Sequence, residues 1–255
     1  VIISLGIGTF LAIVTRGAAK SRFRPPPDKS SGSAKHEVEF VPTRKRGGGE
    51  TEPKKEKKVA KSKVDQELDS MYKDAPAAKK EIDTMADELA EQYGGSVAKA
   101  PLKGRERAKQ KIENDYQGDA SKLKDVARNT IIVPKDQIQN VKKELGNKGA
   151  DVWEFTPDNN ALGYSGINTT IKTKNGLHGE VQVNSPEMIY AKEPENIART
   201  LIGDDAYNKI AKDTGIEGGL GHKYYEDWRV IKDKESAAAK KIAEKSKKYY
   251  KLFGG

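Results

Sequence analysis

Residues Gly163–Ser185 read GYSGINTTIKTKNGLHGEVQVNS. Leu177, Gly179, Val181 and Val183 alternate with His178, Glu180, Gln182 and Asn184, the two-residue period of a strand with one buried face. Upstream, Ile167, Thr169, Ile171 and Thr173 alternate with Asn168, Thr170 and Lys172 in the same way. Asn175-Gly176 stands between the two runs and marks a β-hairpin.

The register follows from the faces. A two-residue turn would set Ile171 opposite Glu180, although residues opposite one another must share a face. A three-residue loop, Lys174-Asn175-Gly176, pairs Thr173 with Leu177 and Thr170 with Glu180, and both faces become consistent. Gly176 then takes the left-handed position of the loop. One face carries Ile167, Ile171, Leu177, Val181 and Val183 and must lie on a core. The other gathers Asn168, Thr170, Lys172, His178, Glu180, Gln182 and Asn184, the composition either of a functional site or of a solvated sheet face.

The hairpin resembles the synthetase domain of RelA/SpoT-type alarmone synthetases, whose hairpin reads roughly GYxSIHTT…EIQIRT. Gly163-Tyr164, Ile167-Asn168-Thr169-Thr170 and Glu180-Val181-Gln182-Val183 are the matching positions. The resemblance covers roughly residues 100 to 230 and looks closest to the small toxin-type members found at the ends of polymorphic and phage-associated toxins. It implies an α+β fold, a nucleotidyltransferase-like mixed sheet flanked by helices. It also implies an ATP-dependent pyrophosphokinase that acts on a guanine or adenine nucleotide or on the 3′ end of tRNA.

Roles carry over by position. The resemblance implies that Glu180 serves Mg²⁺ and the acceptor hydroxyl, and that Asp125, in KLKDVARNTIIV ahead of a strand at Asn129 to Val133, holds the metal. Tyr164 would stack on the acceptor base. Lys103, Arg105, Arg107, Lys109 and Lys111, in KGRERAKQK, would handle ATP phosphates, with Arg128, Asn168, Gln182 and His222 completing the nucleotide site. Such a division suits pyrophosphoryl transfer, which needs positioned charge and metal rather than covalent help. The chain departs from the family where Arg128 follows Asp125 by three positions instead of five, and where Asn168 and Asn184 replace the hairpin His and the Arg of EIQIRT. Each residue also has a plainer reading: Asp125 as a helix cap, KGRERAKQKIEND as a solvated helix, Tyr164 and His222 as packing residues.

The formal charge of +9 over 255 residues would ordinarily suggest a nucleic-acid or membrane partner. Residues 16 to 63, however, hold 15 Lys/Arg against 6 Asp/Glu, and the remainder balances at 32 against 32. The basicity therefore belongs to a Pro-, Gly-, Ser- and Lys-rich stretch that reads as a disordered linker. Ahead of it, VIISLGIGTFLAIV is an apolar run of 14 residues with Arg16, Lys20, Arg22 and Arg24 behind it. It reads as the end of a transmembrane helix, giving residues 1–15 a membrane contact. The chain has no Cys and 3 His, which excludes thiol catalysis and disulfides and disfavours a zinc hydrolase.

From residue 64 to 255 the pattern reads as one synthetase-like domain. VDQELDSMYKD and PAAKKEIDTMADELAEQYGG form a helical pair, Pro101 opens the basic helix, and Lys135 to Leu145 is a helix. Asp151 to Phe155 is a strand, and helices follow at Pro186–Ala191, Pro194–Ile202, Asp204–Asp213 and Lys234–Phe253. The expected protein acts in the cytoplasm, as a toxin with a cognate antitoxin or immunity protein. Two other classes compete with this reading: a membrane-tethered binding module that has lost the chemistry, and a nucleic-acid-binding protein driven by the basic stretch.

Overall fold

A computed structural model describes residues 13–15 and 62–254. The linker expected at 16–63 lies outside the described residues except for its last two positions, which begin the first helix and its cap.

The hairpin forms with the expected register. Strands β5 (Gly166–Lys172) and β6 (His178–Asn184) pair antiparallel with Thr170 opposite Glu180, and the Thr173 amide donates to the Leu177 carbonyl at 2.8 Å. Gly176 has φ of 88°, a left-handed value that glycine adopts without a Cβ penalty. Around this hairpin lie β1 (Ile13–Thr15), β2 (Ser96–Lys99), β3 (Ala127–Ile132) and β4 (Asp151–Phe155), in the order β1-β2-β3-β6-β5-β4. The β3–β6 pair is parallel and the others antiparallel. Of the apolar run expected to end a transmembrane helix, Ile13–Thr15 form an edge strand along β2; residues 1–12 lie outside the described residues. Among the described residues no helix is long and apolar enough to cross a membrane.

Helix α1 (Lys63–Gln92) corrects the expected helical pair: it is one helix of 30 residues that runs through Pro76. An interior proline costs roughly 3 kcal/mol. Leu68, Ala75, Ile82 and Leu89, spaced seven apart on both sides of Pro76, are nevertheless all buried. A break would expose part of this stripe, and each large apolar side chain gains roughly 1.5–3 kcal/mol from burial. The apolar face of the hairpin, with Ile167, Val181 and Val183, packs under α1 and under α3 (Ile138–Asn147), whose Val141 and Leu145 join the same core.

The opposite sheet face is divided. Its half near Ile132 and Phe155 is covered by the C-terminal helices α4 (Pro186–Lys192), α5 (Glu195–Ile202), α6 (Asp204–Thr214), α7 (Leu220–Arg229) and α8 (Ala237–Lys251). The basic helix, α2 (Arg105–Asp115), is capped by Gly104 rather than opened by Pro101, and buries Ala108 and Ile112 against Leu68 and Ala75 of α1. The other half of the face, between these layers, keeps its polar side chains.

Candidate active site on the polar sheet face

Strand pairing sets the polar residues in rows. Asp151 stands opposite Thr170, Thr170 opposite Glu180, and Glu180 beside Arg128 on the parallel neighbour. The next row runs Trp153, Asn168, Gln182, Thr130, and the one after it Phe155, Gly166, Asn184, Ile132. Opposed residues share a face, so Arg128, Glu180, Gln182 and Asn168 are brought together as expected. The third row enters the aromatic core. Gly166 is required there, because a Cβ would stand 2.5 Å from the Tyr164 hydroxyl.

Asp125 precedes β3 and is 3% exposed. Its Oδ2 lies 2.9 Å from Lys111 Nζ and 3.1 Å from Lys103 Nζ. Burial acts to raise its pKa, but the two ammonium groups outweigh burial and hold the carboxyl below its ordinary value. Lys111 responds in the opposite sense: burial opposes its charge, Asp125 restores it, and the net shift is upward. The half-buried Glu180 accepts a hydrogen bond from Gln182 Nε2 at 2.7 Å. Its pKa is raised, first by burial and then by the negative charge of Asp125. Glu180 thus senses Asp125, and the two carboxyls are pushed in opposite directions, the pattern that separates a permanent anion from a proton acceptor.

The expected phosphate helix divides. Lys103 and Lys111 face Asp125. Arg105 instead donates to the Asp65 carbonyl at 2.9 Å and pairs with Asp69 at 2.8 Å, while Lys109 binds Asp65 at 2.9 Å. Arg105 and Lys109 thus tie α2 to α1 through Asp65 and Asp69. Arg107 is exposed on α2.

Tyr164 lies in the aromatic core. It is 3% exposed, its hydroxyl donates to Asn184 Oδ1 at 2.8 Å, and its ring lies 6.0 Å from Phe155 and 5.9 Å from Tyr250 between centroids. In this arrangement the ring packs among aromatic neighbours. His222 is half-buried on α7, which packs on α4 and α8, and among the described residues no hydrogen bond or ion pair joins it to the carboxylates. Sequence reasoning also missed Trp153, which is 40% exposed on the polar face beside Asn168. The alternation of Asp151, Trp153 and Phe155 held that signal, but nothing local said which face β4 would turn to the site.

The residues fit a divalent cation. Asp125 Oδ1 is buried without a hydrogen-bond partner among the described residues, so it retains a free lone pair beside a second carboxylate. No group of three or more potential metal ligands occurs among the described residues. A cation here would therefore complete its shell with phosphate oxygens and water, the habit of Mg²⁺.

The chain belongs to the RelA/SpoT-type alarmone synthetase family. It is 58% identical over 183 residues to the (p)ppApp synthetase toxin Tas1 of Pseudomonas aeruginosa (strain UCBPP-PA14), a match covering 72% of this chain and 42% of that protein. The chain thus spans less than half the length of that curated relative. A solved structure of the Type VI effector Tas1 with its immunity protein is 56% identical and superposes with a TM-score of 0.71, over 74% of this chain and 97% of that one. No family model matches the chain.

Proposed function

We propose that this domain is a pyrophosphokinase that transfers the β,γ-diphosphate of ATP to the 3′-hydroxyl of an adenine nucleotide. The observation that carries this reading is the buried Asp125, held by Lys111 at 2.9 Å and Lys103 at 3.1 Å, next to the sheet face where Arg128 stands beside Glu180. Glu180, with its raised pKa, takes the proton of the acceptor hydroxyl. The freed oxygen bonds to the β-phosphorus as the bond from that phosphorus to the α-bridging oxygen breaks, and AMP leaves. Gln182 fixes the Glu180 carboxylate through its 2.7 Å hydrogen bond. Lys103, Lys111 and Arg128 surround the site with charge suited to a polyphosphate. Asp125 and Glu180 are the residues that would hold Mg²⁺, which when bound neutralises phosphate charge. An adenine acceptor is favoured because the similar Tas1 is a (p)ppApp synthetase.

By the same likeness to a Type VI effector bound to its immunity protein, the chain acts as a growth-inhibiting toxin in the cytoplasm of a target cell and is neutralised by a cognate immunity protein. The test is to incubate the chain with γ-labelled ATP, Mg²⁺ and, separately, AMP or ADP, GDP, and deacylated tRNA. Label on the adenine acceptor, reduced about 10²–10⁴-fold by Glu180→Gln, supports the proposal, since that is the range of general-base contributions. Label on GDP or tRNA would correct the acceptor. No transfer from a folded protein would favour the binding-module reading.

A further inference from the structure

The two ammonium groups that meet Asp125 are carried by different scaffolds. Lys111 rides on α2, whereas Lys103 belongs to the coil 100–104 between β2 and α2. That coil is held at the peptide groups of Lys103 itself. The Lys103 amide donates to the Val126 carbonyl at 2.9 Å, next in sequence to Asp125, and the Lys103 carbonyl accepts a hydrogen bond from the Tyr72 hydroxyl of α1. Tyr72 is half-buried, and with Leu102 it packs against the cluster of Leu68, Ala108 and Ile112. Burial raises the pKa of its hydroxyl, so the proton this bond needs stays in place. Asp65, Asp69 and Tyr72 follow one another at i, i+4 and i+7 on α1 and so share one face. The first two hold α2 through Arg105 and Lys109; the third holds the coil one residue before the Gly104 cap.

We infer that Tyr72 is a positioning residue for Lys103, fixing the coil so that this ammonium stands at Asp125 and meets the polyphosphate of the donor. The inference rests on the pyrophosphokinase reading for what Lys103 does, and on the geometry alone for how Lys103 is held. A lysine ammonium ends a long flexible stem, so its placement is only as firm as the backbone beneath it. Lys111 takes that firmness from the hydrogen bonds of a helix. Lys103 takes it from its two bonds, which act on the two peptide planes that flank its Cα, the amide on one and the carbonyl on the other. Fixing both planes fixes both soft dihedrals of the residue. With the Val126 bond alone the second plane would be free to turn, and the side chain would turn with it. Pyrophosphoryl transfer depends on charge standing where it is needed. A misplacement of about 1 Å by a residue far from the chemistry can lower the rate about 10²-fold. Tyr72 acts only through Lys103, because its hydroxyl is engaged by the carbonyl.

Tyr72→Phe keeps the ring in its packing and removes only the hydroxyl. It should lower kcat/KM for ATP about tenfold or more and leave the KM for the acceptor unchanged. In a Lys103→Met background the same substitution should have no further effect, since no ammonium remains to be placed; in a Lys111→Met background its full effect should persist. A residue that only supported the fold would act equally in every background. Reductive methylation of the amines without nucleotide, read by mass spectrometry, reports on Lys103 independently of activity. Lys103 should react faster in Tyr72→Phe than in the parent chain, with Lys111 unchanged. In a chain that transfers label, an undiminished kcat/KM for ATP in Tyr72→Phe, an equal loss in the Lys103→Met background, or an unchanged methylation rate at Lys103 overturns the inference and leaves the pyrophosphokinase reading intact. Faster methylation of Lys103 in a chain that transfers label to no acceptor does the reverse.

Discussion

Lys111 Nζ stands 2.9 Å from Asp125 Oδ2, with both side chains largely withdrawn from solvent. A buried ammonium and a buried carboxylate each depend on the other, because removing one partner strands an uncompensated charge. Lys111→Met should therefore destabilise the domain by about 3 kcal/mol, read by urea denaturation. Asp125→Asn, which strands Lys103 as well as Lys111, should cost at least as much stability and also abolish transfer. A double variant that loses the full sum of the two single losses would mean that the pair is not coupled.

Stability should respond to acid in two opposed stages. The pKa of Glu180 is raised by burial and then by Asp125, so its ionisation costs stability above its ordinary value, and that cost is relieved as pH falls through the raised value. Asp125 has a lowered pKa. Its contribution is present above its ordinary value and is lost as pH falls through the depressed one. A plot of Tm against pH should rise on mild acidification and then fall. Glu180→Gln should flatten the rise and leave the fall.

Tyr164→Phe separates packing from recognition. Loss of the 2.8 Å hydrogen bond to Asn184 leaves a buried acceptor unsatisfied, at a cost of about 1–3 kcal/mol. Thermal stability should drop while the KM values for donor and acceptor stay unchanged. A marked rise in acceptor KM without loss of stability would return Tyr164 to the site.

Pro76 is exposed inside α1. Pro76→Ala should restore a backbone hydrogen bond and stabilise the chain, by up to about 3 kcal/mol, with activity untouched because the carboxylates lie elsewhere. A loss of stability would show that α1 depends on its proline.

The hairpin was legible because three local signals agreed: the two-residue period, Asn175-Gly176, and the mismatch that a shorter turn would have forced between Ile171 and Glu180. Glu180 and Asp125 were singled out by motif, and Glu180 lies within reach of the Asp125 charge. The continuity of α1 was not, since Pro76 is a local stop signal overruled by a buried stripe on both sides. Strand β2, only four residues long, carried too little pattern between Gly95 and Pro101. The burial of Tyr164 depends on Tyr250, far along the chain, and the division of KGRERAKQK depends on where Asp65 and Asp69 fall on another helix. Local sequence thus gave which residues are charged, and tertiary packing decided which of those charges reach the site.

The rows of the polar face have an evolutionary consequence. Core and site occupy alternate positions on the same four strands, β3 to β6, so a single inserted or deleted residue in any of them would exchange the two faces of that strand. Divergence at this site must therefore proceed by replacement at fixed positions. Related chains can change these side chains one at a time, but they cannot slide the polar rows along the sheet.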